Sequence, residues 1–338
     1  MEQLTYRMMG AFTALALLSL PAAAQETVWK IQSLYGTGNQ VWDEIEAFAE
    51  NIEKMTGGRL VLDIAPAGTL VGPMGTLEAV SAGVIDGHLS YPVLWSGIEP
   101  AFAPLGDLPG GFDNFYQWAE FYYEAGGLDL LRALYAEQGL YTIGVGTGGP
   151  ESIPSNVALN SVADFANVKI RVPAGLSGSL MANLGASPVN LPFSEVFGAL
   201  EKGVVDAADA GSMSYNESLG MHAHAKYVLY RSPHGFGVLD LSVGQAKWDE
   251  LPNDIKAIVE LATKTFFYDV VARVNADDAA AFATVEAQGV TIIDWSAEDR
   301  LKFRQEAVKI WREHAEKSPR AKEAIDAQIA YLERIGLL

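Results

Sequence analysis

The sequence predicts an α/β protein of two similarly built lobes, with one long helix running between them. Three observations carry this. Strand-like runs alternate with helical ones from Thr27 onward, the pattern of βα units around a largely parallel sheet. A short motif recurs, as "AVSAGVIDG" at 79–87 and "ALEKGVVDA" at 199–207. From about residue 249 the chain reads as helix through Gln288 with no internal breaker, long enough to reach from one lobe to the other.

The first 24 residues are of another kind. Arg7 is their one cation, Met8–Leu20 is apolar, and Pro21 precedes Ala22-Ala23-Ala24. This is the build of a secretory signal cut after Ala24, and its apolar run is too short to span a bilayer. The mature chain is expected to start near Gln25, in a periplasm. No other stretch is apolar enough to cross a membrane.

"TVWKIQSL" (27–34) reads as the opening strand, followed by the small-residue loop "YGTGN". A helix follows, with Val41, Trp42, Ile45, Phe48, Ile52 and Met55 on one face and Gly57–Gly58 as its stop. "RLVLDIAPAG" is the next strand. In the recurring motif, Gly83 and Gly203 supply left-handed helix caps, and Val84–Ile85 and Val204–Val205 read as short buried strands.

"GVGTGGPESIPSN" (144–156) is dense in Gly and Pro and suits a crossing between lobes. It is no dinucleotide fingerprint, because Pro150 and Pro154 stand where a helix would have to begin. "VKIRVPAG" (168–175) places Arg171 in a half-buried strand ended by Pro173. A guanidinium there requires an anion, either a side chain of the protein or one arriving from outside. A last helical stretch, 297–336, carries charge on one face and Leu301, Phe303, Ile310 and Trp311 elsewhere. It packs on its own lobe or on a second copy, as a homodimer.

Composition narrows the function. The 338 residues are 49% hydrophobic, with a net charge of −19, which argues against nucleic acid and anionic lipid as partners. The absence of cysteine removes thiol catalysis, disulfides and thiolate metal sites. Neither Gly-x-Ser-x-Gly nor Ser-x-x-Lys occurs, and His88, His222, His224, His234 and His314 have no metalloprotease spacing. The histidines read as surface or interlobe residues. Nothing in the sequence asks for an enzyme.

"VKIRVPAG" followed by "LGASPVNLPFSEVFGALEKGVVDAAD" (184–209) resembles the extracytoplasmic solute-binding proteins of TRAP transporters, the DctP-like family. "SYPVLWSGIEPAFAP" (90–104), "QAKWDELPNDIKAIVELA" (245–262) and the 57–87 segment resemble it too, in the right order along the mature chain. "GHLSYPVLWSGIEPAFA" and "SLGMHAHAKY" place the likeness nearest the branch that binds 2-oxo and 2-hydroxy carboxylates.

The resemblance implies a periplasmic binding protein of the Venus flytrap kind, whose lobes close on a small organic acid that is then delivered to TRAP membrane permease subunits. Lobe I would take 25–147 plus 237–275, and lobe II 148–236 plus 276–338 with the C-terminal helices. It implies no catalysis. The family's carboxylate-gripping arginine falls on Arg171, so the anion comes from outside.

The cation-holding pair of the oxo-acid branch falls on Glu151, where that branch carries Gln, and on Asp209. Ala210 stands where it carries Trp, and "RSPHG" (231–235) where it reads His-Glu-Pro-Gly, so that Ser232 replaces one possible ligand. Glu151 and Asp209 would share Ca²⁺ or Na⁺ with the substrate. Alternatively they would hold the ammonium of a zwitterion such as taurine, ectoine or an amino acid. Tyr91, Trp95 and Tyr215 would wall the cleft, with Trp95 and Tyr215 equally suited to the core. The rival of another class is a secreted lyase or isomerase of hydroxy acids, and a sensor role is a third.

Overall fold

A computed structural model describes residues 26–173, 175–191 and 195–338; the expected signal, 1–24, lies outside them. The eleven strands are β1 (Thr27–Ser33), β2 (Leu60–Ala65), β3 (Gly87–Ser90), β4 (Leu140–Thr147), β5 (Ser152–Ser155), β6 (Lys169–Arg171), β7 (Ser187–Val189), β8 (Ala207–Ala208), β9 (Tyr227–Tyr230), β10 (Val238–Gly244) and β11 (Thr291–Ile293). They form two sheets, ordered β2-β1-β3-β10-β4 and β11-β9-β5-β8-β6-β7.

Both sheets are mixed, where the sequence suggested largely parallel ones. β10 runs antiparallel to β3 and β4, and β5 antiparallel to β8 and β9. The reason is connectivity. β10 belongs to the first sheet but enters it from the second lobe, so it arrives against the direction of its neighbours. β9 likewise returns along β5 before leaving. The chain therefore crosses between the sheets at 148–151 and at 231–237, and these two crossings lie side by side, with Ser232 N–H donating to Glu151 O at 2.8 Å.

The recurring motif marks a repeated structural device. Gly83 and Gly203 have φ of 70° and 66°, ending the helices Thr76–Ser81 and Val196–Glu201. Asp86 donates its backbone N–H to Lys30 O and accepts from the Lys30 N–H at 2.8 Å through its carboxylate. Asp206 does the same with Lys169, at 2.9 Å. Each aspartate thus pins its segment to the entry of a neighbouring parallel strand. The strands themselves begin later than the apolar pairs suggested. Ile85 and Val205 are buried, but Val84 and Val204 are exposed, because the capped turn still rotates at those positions.

The opening helix, Trp42–Thr56, buries the expected face except Met55; Thr56 is turned inward instead, its hydroxyl bonding Ile52 O. The long helix, Asn253–Ala287, joins the lobes as expected. Ile255 through Val274 pack on the first sheet and the opening helix, whereas Ala281 and Val285 pack with Met213, Val228 and Val290 of the second lobe. Among the described residues no helix is long and apolar enough to cross a membrane.

The stretch after 297 is two helices, Ala297–Ala315 and Pro319–Arg334, broken where Ser318 caps the second with Pro319 at its first position. Phe303, Ile310 and Trp311 are buried in the chain's own core, and Leu301 is exposed. Trp311 Nε1 donates to Pro109 O, and Arg304 holds Gly110 O and Asp113. The C-terminal helices therefore brace the loop that follows residue 106, which enters the site below.

Candidate functional site

A cavity of about 480 Å³ opens between the lobes, a size suited to a small molecule. The two crossings and the ends of β6 and β8 supply its polar groups. Arg171 ends β6, beside Ala208 of β8, so Asp209 follows immediately on the neighbouring strand. Arg171 Nη1 donates to Asp209 O at 2.6 Å and Nε to Leu191 O at 3.2 Å. These bonds fix the plane of the guanidinium, which is half-buried on the cavity wall. Burial holds its pKa below the ordinary value, against the pull of Asp209 and Glu151.

Beside it lies a buried cluster around His234, which the second crossing carries in. His234 Nε2 is 2.6 Å from Asp107 Oδ2 and 2.9 Å from Ser177 Oγ. Its Nδ1 is 2.9 Å from Glu151 Oε2 and in contact with Asp209 Oδ2. Ser232 Oγ donates to Asp209 Oδ1 at 3.4 Å and accepts from the His234 N–H at 3.1 Å. Gly110 N–H donates to the carbonyl of Pro233 at 2.9 Å, tying the crossing to the loop of Asp107.

Burial alone would drive the imidazole towards neutrality. Asp107, Asp209 and Glu151 together outweigh it and hold His234 well above the usual histidine range. Glu151 is pushed up, by burial first; His234 opposes the rise, and Asp209 and Asp107 add to it. Glu151, Asp209 and His234 bring one donor atom each within 4.8 Å of one another, an arrangement able to hold a metal ion. The remaining walls include Tyr35 and Tyr91, whose hydroxyls are 2.7 Å apart, together with Tyr215 and Ala210. Burial raises both phenols, Tyr35 to about 12, so they stay neutral donors. Gln40 of the first lobe bridges to Ser212 and Ser214 of the second, at 3.0 and 3.1 Å.

The family model of the bacterial extracellular solute-binding proteins, family 7 (DctP), matches residues 34–318. The chain belongs to this family. A monocarboxylate 2-oxoacid-binding periplasmic protein of Nostoc sp. strain PCC 7120 is 27% identical over 320 residues, covering 94% of this chain and 87% of that protein. The open, ligand-free crystal structure of a TRAP periplasmic solute-binding protein from Rhodobacter sphaeroides superposes with a TM-score of 0.84 at 35% identity, covering 92% of this chain and 99% of that one. A TRAP solute-binding protein from Colwellia psychrerythraea, crystallised with calcium and pyruvate, shares the fold at 24% identity with a TM-score of 0.81, covering 92% and 95%. This is a family of binding proteins and not of enzymes.

Of the six residues expected at the site, five line the cavity: Arg171, Glu151, Asp209, Tyr91 and Tyr215. Trp95 does not. It is buried in the first lobe's core, its Nε1 donating to Tyr135 Oη at 3.0 Å and its ring stacked on His88. The short helix Pro92–Trp95 explains the difference, since it carries Trp95 a turn away from Tyr91 and inward. His234 was missed, and so were Asp107 and Ser177. Two residues after Ser232, His234 brings a ring nitrogen to Glu151 and Asp209. The available signal was its position: a histidine within a Pro- and Gly-containing crossing is carried to the seam between lobes, whatever its spacing from other histidines.

Proposed function

We propose that this TRAP solute-binding protein captures a small 2-oxo or 2-hydroxy carboxylate in the periplasm, after loss of residues 1–24, and hands it to TRAP permease subunits. The observation that carries this reading is Arg171, its guanidinium fixed on the cavity wall beside a buried acidic cluster that lines the same cavity. The guanidinium takes the carboxylate. Glu151 and Asp209, with His234 beside them, suit a cation that receives the second oxygen of the substrate. The pyruvate and calcium of the Colwellia protein and the 2-oxoacid of the Nostoc protein support the substrate class.

Binding closes the cleft because the acid reaches Arg171 of the second lobe and Tyr35 and Tyr91 of the first together only when the lobes approach. Gln40, which also lines the cavity, already bonds across from the first lobe to Ser212 and Ser214 of the second.

The test is Arg171→Lys. It keeps the charge but loses the planar fork. Charge-assisted bonds of about 1.5–3 kcal/mol each predict roughly 10- to 1000-fold weaker binding of pyruvate or lactate by calorimetry, with the ligand-free melting temperature nearly unchanged. Equal affinity combined with much earlier unfolding would make the arginine structural.

A further inference from the structure

The nitrogen donor in the cluster narrows the choice of cation. His234 Nε2 is engaged by Asp107 Oδ2 at 2.6 Å. A carboxylate there fixes Nε2–H as the donor and turns the Nδ1 lone pair the other way, as the outer partner of a metal-bound imidazole does. Nδ1 faces Glu151 Oε2 at 2.9 Å and touches Asp209 Oδ2. Yet among the described residues Nδ1 and Asp209 Oδ2 each lack a hydrogen-bond partner, on side chains that are 4% and 0% exposed. Two carboxylate oxygens therefore converge on one ring nitrogen with neither along the line a proton would take. A third centre bonded to all three atoms accounts for that convergence.

Charge agrees. Asp107, Glu151 and Asp209 bring three carboxylates and Arg171 one fixed cation; with His234 neutral, as a metal-bound imidazole is, two negative charges are left before any substrate enters. A divalent ion cancels two; sodium cancels one.

The donor set then selects among divalent ions. Calcium takes six to eight oxygens. One imidazole nitrogen with two carboxylate oxygens, and an open side towards a cavity, suits zinc and its first-row neighbours. We propose that His234 Nδ1, Glu151 and Asp209 hold a first-row transition-metal ion of the zinc type, and that the organic acid binds on it as a chelate, its carboxylate shared with Arg171. This rests on the reading of the cleft given above, and it differs from the calcium seen in the Colwellia relative.

The experiment uses the mature chain, dialysed against a chelator and then titrated with Zn²⁺ alone, Co²⁺ alone or Ca²⁺ alone, by calorimetry and by elemental analysis of the dialysed product. One equivalent of Zn²⁺ is expected, with Ca²⁺ at least about 100-fold weaker, and visible absorption bands on addition of Co²⁺. Asp107→Asn should weaken Zn²⁺ by about 10- to 100-fold, and His234→Gln by more. If His234→Gln does not fold, Asp107→Asn together with the Co²⁺ spectrum decides.

Equal affinity for Ca²⁺ and Zn²⁺, or no metal bound while pyruvate still binds, overturns the proposal and leaves the carboxylate reading standing; His234 is then an imidazolium held by its three carboxylates. Zn²⁺ bound through His234 with no organic acid taken up does the reverse: the metal site stands and the substrate reading fails.

Discussion

In the first lobe His88 stands with its Nδ1 3.2 Å from Thr76 Oγ1 and its Nε2 3.3 Å from Asp240 Oδ2. In the crossing strands His234 stands among Asp107, Glu151 and Asp209. Both rings are buried, both meet an aspartate, and in both one nitrogen lacks a well-directed hydrogen bond. Under-partnered nitrogen is therefore not what separates a core histidine from a functional one. The carboxylates do. Asp240 is a single acid whose two oxygens accept Tyr135 Oη–H at 2.9 Å and Ser242 Oγ–H at 2.5 Å, with Trp95 stacked over the histidine. The His234 cluster gathers three acids, leaves Asp209 Oδ2 without a donor, and opens on the cavity. One cluster is complete with its own side chains, and the other, on the proposal above, takes up a cation from outside.

The strongest way to break this comparison is to remove an acid from the complete cluster. Asp240→Ala strands Tyr135, Ser242 and His88 in the core of the first lobe. Breaking a buried pair of this kind costs about 3–5 kcal/mol, visible as a lower midpoint in urea. Pyruvate affinity, measured where the variant is still folded, should not change. A variant of full stability with impaired binding would show that the first-lobe cluster belongs to the function.

A third buried histidine sharpens the contrast by having no acid at all. Among the described residues His222 has no hydrogen-bond partner on either ring nitrogen, and burial depresses its pKa to about 4. Between the unfolded value near 6.5 and that folded value, the unfolded chain binds a proton that the folded chain does not. Stability should therefore fall as pH drops through this window, by about 3 kcal/mol in full. His222→Leu should remove that part of the acid sensitivity of the chelated protein, read as denaturation midpoints from pH 7 to pH 4. Parallel profiles for the two proteins would mean that His222 is solvated in solution.

How far these features could be read from the sequence follows from their range. The Gly caps, the opening helix, the breaker-free long helix and the strand that carries Arg171 are set by residues within a turn or two, and the sequence yields them. Sheet direction was not legible, because it depends on which lobe a strand returns from, and β10 has its partners about 100 and 150 residues away. Trp95 was misplaced for a local reason that a closer look at Pro92 could have caught: proline at the start of a short helix turns the next residues off the strand line. His234 was hidden for a non-local one. Its partners sit at 107, 151, 177 and 209, four separate segments that meet only because the two crossings are hydrogen-bonded side by side. Asp206 shows the converse. Three residues from Asp209 and in the more regular motif, it is a strand pin, and only the fold tells the two aspartates apart.

The smallest expected effect concerns Glu151, the acid that the resemblance would have as Gln. In the folded chain its carboxyl is pushed up, by burial before anything else, so its ionised form is less at ease folded than unfolded. The sign follows. A carboxyl raised on folding weakens the fold once the pH exceeds its unfolded value near 4.5, and has no such effect below it. Glu151→Gln should therefore raise the stability of the chelated, ligand-free protein at pH 7, on the order of 1 kcal/mol, the ordinary scale of a single substitution. The gain should vanish at pH 4. The same variant should bind Zn²⁺ and pyruvate less well, because a carboxylate donor has been lost. Matched denaturation curves at the two pH values, with metal titrations beside them, check both halves. A variant that is less stable at pH 7 would mean that Glu151 already has its counter-charge inside the folded chain, and the cluster around His234 would then be as self-contained as the one around His88.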